Sequence, residues 1–161
     1  MNENGKIENL FDNSSINMVN IHNKYDLFRF KLAQEKYFDT AIREIKNWHK
    51  QTHRIWYIFP QIAWLWHSDM AQRYAILCLE EAVEYYNDME LRENLETISQ
   101  ALLGLDWNDP EIVLWSIDAL KVRSCMTLFH KVDPENQIFV DVLKKYYCWE
   151  LDGKTLEILG E

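Results

Sequence analysis

From Asp26 onward, apolar residues recur at three- and four-residue steps, so the chain reads as one helix after another. Leu27, Phe30, Ala33, Tyr37, Ala41 and Ile45 line one face of a first helix. Asp26 is placed to cap it, because its carboxylate can accept from the orphan amides of the first turn. Residues 53–62 hold the dense run Ile55, Trp56, Tyr57, Ile58 and Phe59, which Pro60 interrupts. Periodicity does not separate helix from strand over so short a run, and with no partner strand visible, helix is favoured. Ser68 is read as the cap of a helix over 69–86, with Ala71, Tyr74, Ala75, Cys78, Ala82 and Tyr85 as its buried stripe. Asn87 or Asp88 starts another, carrying Leu91, Leu95, Ile98, Leu102 and Leu105 inward.

Asp109-Pro110 and Asp133-Pro134 each join a capping carboxylate to a proline whose φ is preset and whose missing amide is not needed in a first turn. They predict a short helix near 111–114 and a longer one over 135–148. Ser116 is read as the cap of a helix to about Lys131, and a last turn runs from Asp152 through Thr155 and Leu156 to Leu159. Neither a hairpin signal nor an internal repeat is visible. The predicted fold is all-α, a compact domain of about six to eight helices over residues 25–161. Residues 1–24 are rich in asparagine and lack apolar periodicity, so they are expected to form a flexible polar tail.

Charge narrows the classes. The chain has 161 residues and a formal charge of −9, which argues against nucleic acid or an anionic membrane as partner, since both need clustered cations. No apolar run approaches the roughly 18 residues of a membrane span, and the N-terminus is too polar for a signal peptide. Cys78, Cys125 and Cys148 are odd in number and scattered, as in a reducing compartment. A soluble cytoplasmic protein is expected, with a small molecule or a protein as its partner. The stretch 80–111 holds ten anions and one cation, Arg92, against a first helix rich in Lys and Arg. That stretch is either a solvated acidic face or a docking surface for a basic partner or for the first helix of another copy.

Glycine and tryptophan are out of proportion. Glycine occurs 4 times and tryptophan 7 times, although glycine averages about 7% of residues. Between Gly5 and Gly104 there is none, yet several helices must end there. Trp48, Trp64, Trp66, Trp107, Trp115 and Trp149 stand where helices stop or loops turn. Such positions commonly demand φ > 0, which glycine takes freely and an aromatic residue takes only at a cost of about 1 kcal/mol or more.

Several segments carry a family resemblance. They are Asp26-Leu27 with Phe30, Ala33-Gln34 and Tyr37; His53 with Trp56 and Ile58-Phe59-Pro60-Gln61; and Ser68 with Ala71, Tyr74-Ala75-Ile76, Glu81-Ala82 and Tyr85. Further along stand Asp118, Lys121, Ser124 and Met126-Thr127-Leu128-Phe129, then Phe139, Leu143, Lys145-Tyr146 and Thr155-Leu156. Over Asp26 to Leu159 the chain resembles the bacterial family known as domain of unknown function 1810, some members of which are labelled calpastatin. The resemblance implies glycine at the positions of Trp48, Trp64, Trp66, Trp107, Trp115 and Trp149, and a true tryptophan at Trp56. One cause accounts for all six exchanges: a gene that uses UGA as a glycine codon, translated with UGA read as tryptophan. UGA is expected at all six positions, and UGG codons there would exclude the idea. An aromatic binding surface, or a family branch with real tryptophans, is the rival account.

Chemistry is sparse. His49 and His53 are four apart, but no Glu follows His49 as a metalloprotease would require, and no two cysteines lie within four residues, so neither a metal nor any cofactor is expected. Ser124-Cys125 with His53 is the one nucleophilic arrangement worth naming, and Cys125 lies among apolar neighbours on a helix, as core cysteines do. Phosphate-cradling glycine loops, dinucleotide fingerprints and nucleophile elbows are absent.

The resemblance singles out a polar set instead: Gln34, Tyr37, His53, Trp56, Gln61, Asp118, Lys121 and Ser124. In a binding pocket between 53–61 and the 116–131 helix, Lys121 or Gln61 would meet an anionic or amide group, and Asp118 or His53 would move a proton. Structural roles compete with this: an Asp118–Lys121 helix ion pair, a capping His53, and buried Gln34 and Gln61 amides satisfying carbonyls. The expected function is a ligand-binding or interaction domain, with a hydrolase or N-glycosidase acting on a nucleotide-derived metabolite as the alternative.

Overall fold

The computed structural model describes residues 24–47 and 55–161, and every structural statement below concerns those residues. The predicted tail at 1–23 and the readings of Trp48, His49 and His53 lie outside them. Nine helices follow in chain order: α1 (Phe28–Lys46), α2 (Ile55–Ile58), α3 (Asp69–Arg73), α4 (Leu79–Asn87), α5 (Met89–Leu103), α6 (Pro110–Val113), α7 (Ser116–Val132), α8 (Gln137–Tyr147) and α9 (Gly153–Leu159). The class is all-α as expected, with more and shorter helices than the periodicity suggested. None is long and apolar enough to cross a membrane.

The helix α7 is the axis of the fold. Val122, Cys125, Met126, Leu128 and Phe129 are fully buried on it, because α4, α8, α9 and α6 pack around it and α2 touches it. From Lys121 to Phe129 it is buried on nearly all sides, with Lys121, Ser124 and Thr127 among the buried residues. On the other side α1 lies against α5, and α5 against α8. Phe30, Tyr85, Phe129 and Phe139 form a chain of ring contacts through this core, beginning with an edge-on Phe30–Tyr85 pair at 5.1 Å.

Four expectations about element boundaries are corrected. The 69–86 helix is two helices, because the Ile76 N–H and C=O pair with Gln61 O (2.9 Å) and Ala63 N (2.7 Å) in an isolated parallel bridge. Backbone groups committed to a distant partner are lost to the helix ladder. Asp26 does not cap α1: the N-cap is Leu27, without a side-chain bond, and the Asp26 carbonyl accepts from Arg29. Asp133-Pro134 does not open α8. Asp133 closes α7, and Asn136 caps α8 through a 2.9 Å bond from Ile138 N, with its amide held on Tyr86 and Glu96. Ser116 is the first residue of α7 and Trp115 its N-cap; the serine hydroxyl donates to Glu111 instead. The caps at Ser68, Asp88, Asp109 and Asp152 are present as read.

The acidic stretch is partly neutralised within the chain. Lys31 on α1 reaches Asp88 at 2.7 Å and Glu90 at 3.4 Å, and Arg29 reaches Glu81 at 2.7 Å. The basic first helix thus meets the acidic stretch inside one molecule.

The tryptophans divide. Trp64 and Trp149 hold φ of 75° and 65°, in the left-handed region that favours glycine. Trp66, Trp107 and Trp115 are not at positive φ, so the expected backbone demand holds at two of the five described sites. Trp115 has φ −65° and ψ 154°, the extended N-cap backbone open to any residue.

Candidate functional site

Of the predicted polar set, the tertiary structure brings Trp56, Asp118 and Lys121 together. Trp56 is held by α2, and Asp118 and Lys121 lie one turn apart on α7, so they meet only because α2 packs on α7. The Lys121 ammonium lies 3.7 Å from the centre of the Trp56 ring and 5.5 Å from that of Trp66, and 3.0 Å from Asp118 Oδ1. Asp118 and Lys121 are 2% and 5% exposed. Burying such a pair is costly unless the charges are well met, and a cation over an indole face is one way to meet them. Burial pulls the Lys121 amine down from the usual lysine range to about 8. An ammonium has three donors, and Asp118 accepts one of them.

Two hollows adjoin this group. One, of about 290 Å³, is lined by Trp56, Gln61, Trp64, Trp66, His67 and Tyr74 among others. The second, of about 350 Å³, is lined by Trp115, Ser116, Ile117, Asp118 and Lys121. No cluster of three or more His, Cys, Asp or Glu side chains suited to a metal occurs among the described residues.

The remaining members of the set sit elsewhere or are engaged. Gln34 is a core amide, donating to Tyr57 O (2.7 Å) and Tyr85 Oη (3.0 Å) and accepting from Asn94 (3.0 Å). Tyr37 packs on Tyr57, with ring centres 6.0 Å apart. Gln61 is buried at the edge of the first hollow and donates its amide to the Phe59 carbonyl. Ser124 Oγ bonds Leu120 O (3.1 Å) and Asp152 Oδ2 (3.0 Å). Together with Thr127, which accepts from Asp152 N at 2.9 Å, Ser124 fastens α9 to α7. Cys125 is fully buried, and burial pushes its thiol well above the ordinary range. The Ser124-Cys125 arrangement therefore supplies neither a thiolate nor a free hydroxyl.

Asp152 carries much of that junction, because one carboxylate oxygen also accepts from Thr155 N (3.0 Å) and Thr155 Oγ1 (2.6 Å). Replacing Asp152 with alanine is expected to cost about 1–2 kcal/mol, read as a lower urea midpoint at unchanged slope.

Sequence reading missed the pairing of Arg29 with Glu81, although Glu81 lies in a segment that carries the family resemblance. Arg29 donates to Arg73 O (2.9 Å), Ala75 O (2.7 Å) and Glu81 Oε1 (2.7 Å), and Leu77 N donates to Glu81 Oε2 at 2.7 Å. Periodicity marks both as exposed helix positions; no local signal shows that the α3–α4 loop folds back onto α1.

The neighbouring known proteins agree with this architecture. The conserved hypothetical protein Rv1873 from Mycobacterium tuberculosis has a crystal structure similar to this chain, with 33% identity and a TM-score of 0.83. The match covers 86% of this chain and 99% of that one. Among curated proteins none matches. Residues 24–159 match the family described as protein of unknown function (DUF1810), so the chain belongs to that family.

Proposed function

We propose that the chain binds a small anionic metabolite at the Lys121 site between α2 and α7. The observation that carries this reading is a nearly buried ammonium, seated on Trp56 and paired with one carboxylate, beside two hollows. Asp118 matches its charge but takes only one of the ammonium's three hydrogen bonds. A carboxylate or phosphate oxygen in either hollow completes the coordination of the amine in a low-dielectric setting, where such a bond is strong.

Thermal-shift and calorimetric titration with nucleotides, ADP-ribose derivatives and amino acids tests the reading. Both the chain as written and its variant with glycine at the six tryptophan positions are to be titrated. An anionic compound is expected to raise the melting temperature, and Lys121→Met to abolish the rise. No Lys121-dependent shift in either form would sink it. Binding is further expected to weaken as pH rises through about 8, where the amine loses its proton.

Stability carries a matching signature. The folded-state pKa of about 8 lies below the ordinary 10.5, so between those values the unfolded chain holds a proton that the folded chain has lost. Stability from this group then rises with pH across that window. Lys121→Met is expected to remove the rise in urea titrations at pH 7.5 and 9.5.

A hydrolase or N-glycosidase is the second reading. Asp118 favours it, as a buried carboxylate beside an amine lining the same hollow, a pair able to exchange a proton with substrate. On that reading Asp118→Asn stops turnover of a bound nucleotide-derived compound and leaves its binding intact.

A further inference from the structure

Lys121 lines the second hollow, and its ammonium lies 5.5 Å from the ring centre of Trp66. That ring is edge-on to Trp56, with centres 6.3 Å apart, and lines the first hollow. Its Nε1–H is buried with no hydrogen-bond partner among the described residues. A buried indole N–H in an interior shaped for it ordinarily finds an acceptor. Two residues earlier, Trp64 holds a left-handed backbone and is 79% exposed. One ring has been pushed into solvent and the other lodged without its polar contact. The Trp64 backbone is one that glycine takes freely, and the Trp66 ring fills space without making its polar contact.

We propose that Trp66 occupies the place of the ligand. The native chain then carries glycine at 64 and 66, and the vacated space joins the two hollows into one cleft for a planar aromatic ring bearing an anionic group. The proposal rests on the reading of Lys121 as an anion-binding amine. The ring of the ligand lies edge-on to Trp56, where the indole now lies. Its anionic group takes the Lys121 N–H bonds that Asp118 leaves over.

The test is made on the full chain, with Trp66→Gly, the double variant Trp66→Gly/Lys121→Met, and the parent. Indole, indole-3-carboxylate and adenosine monophosphate serve as probes in calorimetric titration. Trp66→Gly is expected to melt within a few degrees of the parent and to bind indole-3-carboxylate at least about tenfold more tightly than the parent does. It should also prefer the carboxylate to indole by about tenfold, and Lys121→Met should erase that preference. Adenosine monophosphate separates a nucleotide site from one for simple aromatic acids; binding of either anion supports the proposal.

A fall in melting temperature of roughly 10 °C or more, such as loss of a packed indole brings, would overturn it. So would equal affinity of the parent and Trp66→Gly for the anion, which leaves the anion-binding reading itself intact. An independent test is the mass of tryptic peptide 55–73 from the protein made in its own host. Glycine at 64 and 66 upholds the proposal, and tryptophan overturns it.

Discussion

Replacing Arg29 by alanine is expected to lower the free energy of unfolding by about 3–5 kcal/mol, the usual cost of removing one partner from a buried ion pair. Glu81 is fully buried, and without the guanidinium its Oε1 loses a 2.7 Å charge-assisted bond. The Arg73 and Ala75 carbonyls lose their donor in the same step. Those carbonyls belong to the bend that ends α3 and delivers Ile76 to its bridge with Ile62, so the first hollow should loosen together with the fold. Urea unfolding of Arg29→Ala and of Arg29→Met/Glu81→Leu checks it. The double variant should recover much of the loss, because no unpaired charge remains. A single-variant change below about 1 kcal/mol would show the pair to be solvated and unimportant.

Glycine at positions 64 and 149 together is expected to stabilise the protein by about 1–3 kcal/mol, since each left-handed non-glycine residue costs about 1–2 kcal/mol and the Trp149 ring contact is lost. The gain should come mainly from Trp64. The Trp149 ring packs edge-on to His130, with centres 5.2 Å apart, and its removal forfeits that contact. Trp149 N–H donates to Leu143 O at 3.0 Å whatever the side chain, so the turn ending α8 survives. Trp64→Ala isolates the cause. If the strain is in the backbone, alanine gains far less than glycine, because its β-carbon keeps the penalty. If the effect were removal of exposed indole, the two variants would match. Equilibrium unfolding of the three proteins distinguishes these outcomes.

The helical class is legible in the chain alone, because a 3.6-residue period is written locally into every apolar stripe. The caps at Ser68, Asp88, Asp109 and Asp152 are legible for the same reason: the carboxylate or hydroxyl and the amides it satisfies lie within three residues. The glycine-like addresses of Trp64 and Trp149 were legible from the neighbouring helix ends, and their φ values agree. Trp56, Asp118 and Lys121 were legible as members of a polar set, but not as neighbours. Whatever depends on groups far apart in the chain was settled by packing. Ile76 leaves its helix because Gln61 and Ala63 claim its backbone, and Asn136 rather than Asp133 starts α8 because Tyr86 and Glu96 hold it. Ser124 went to a structural junction and Lys121 to a hollow although they lie on one helix face, because Asp152 reaches the first and Trp56 covers the second. Local periodicity fixes which face of a helix is apolar, but the partner that meets each polar group is set by packing, to which spacing along the chain is blind.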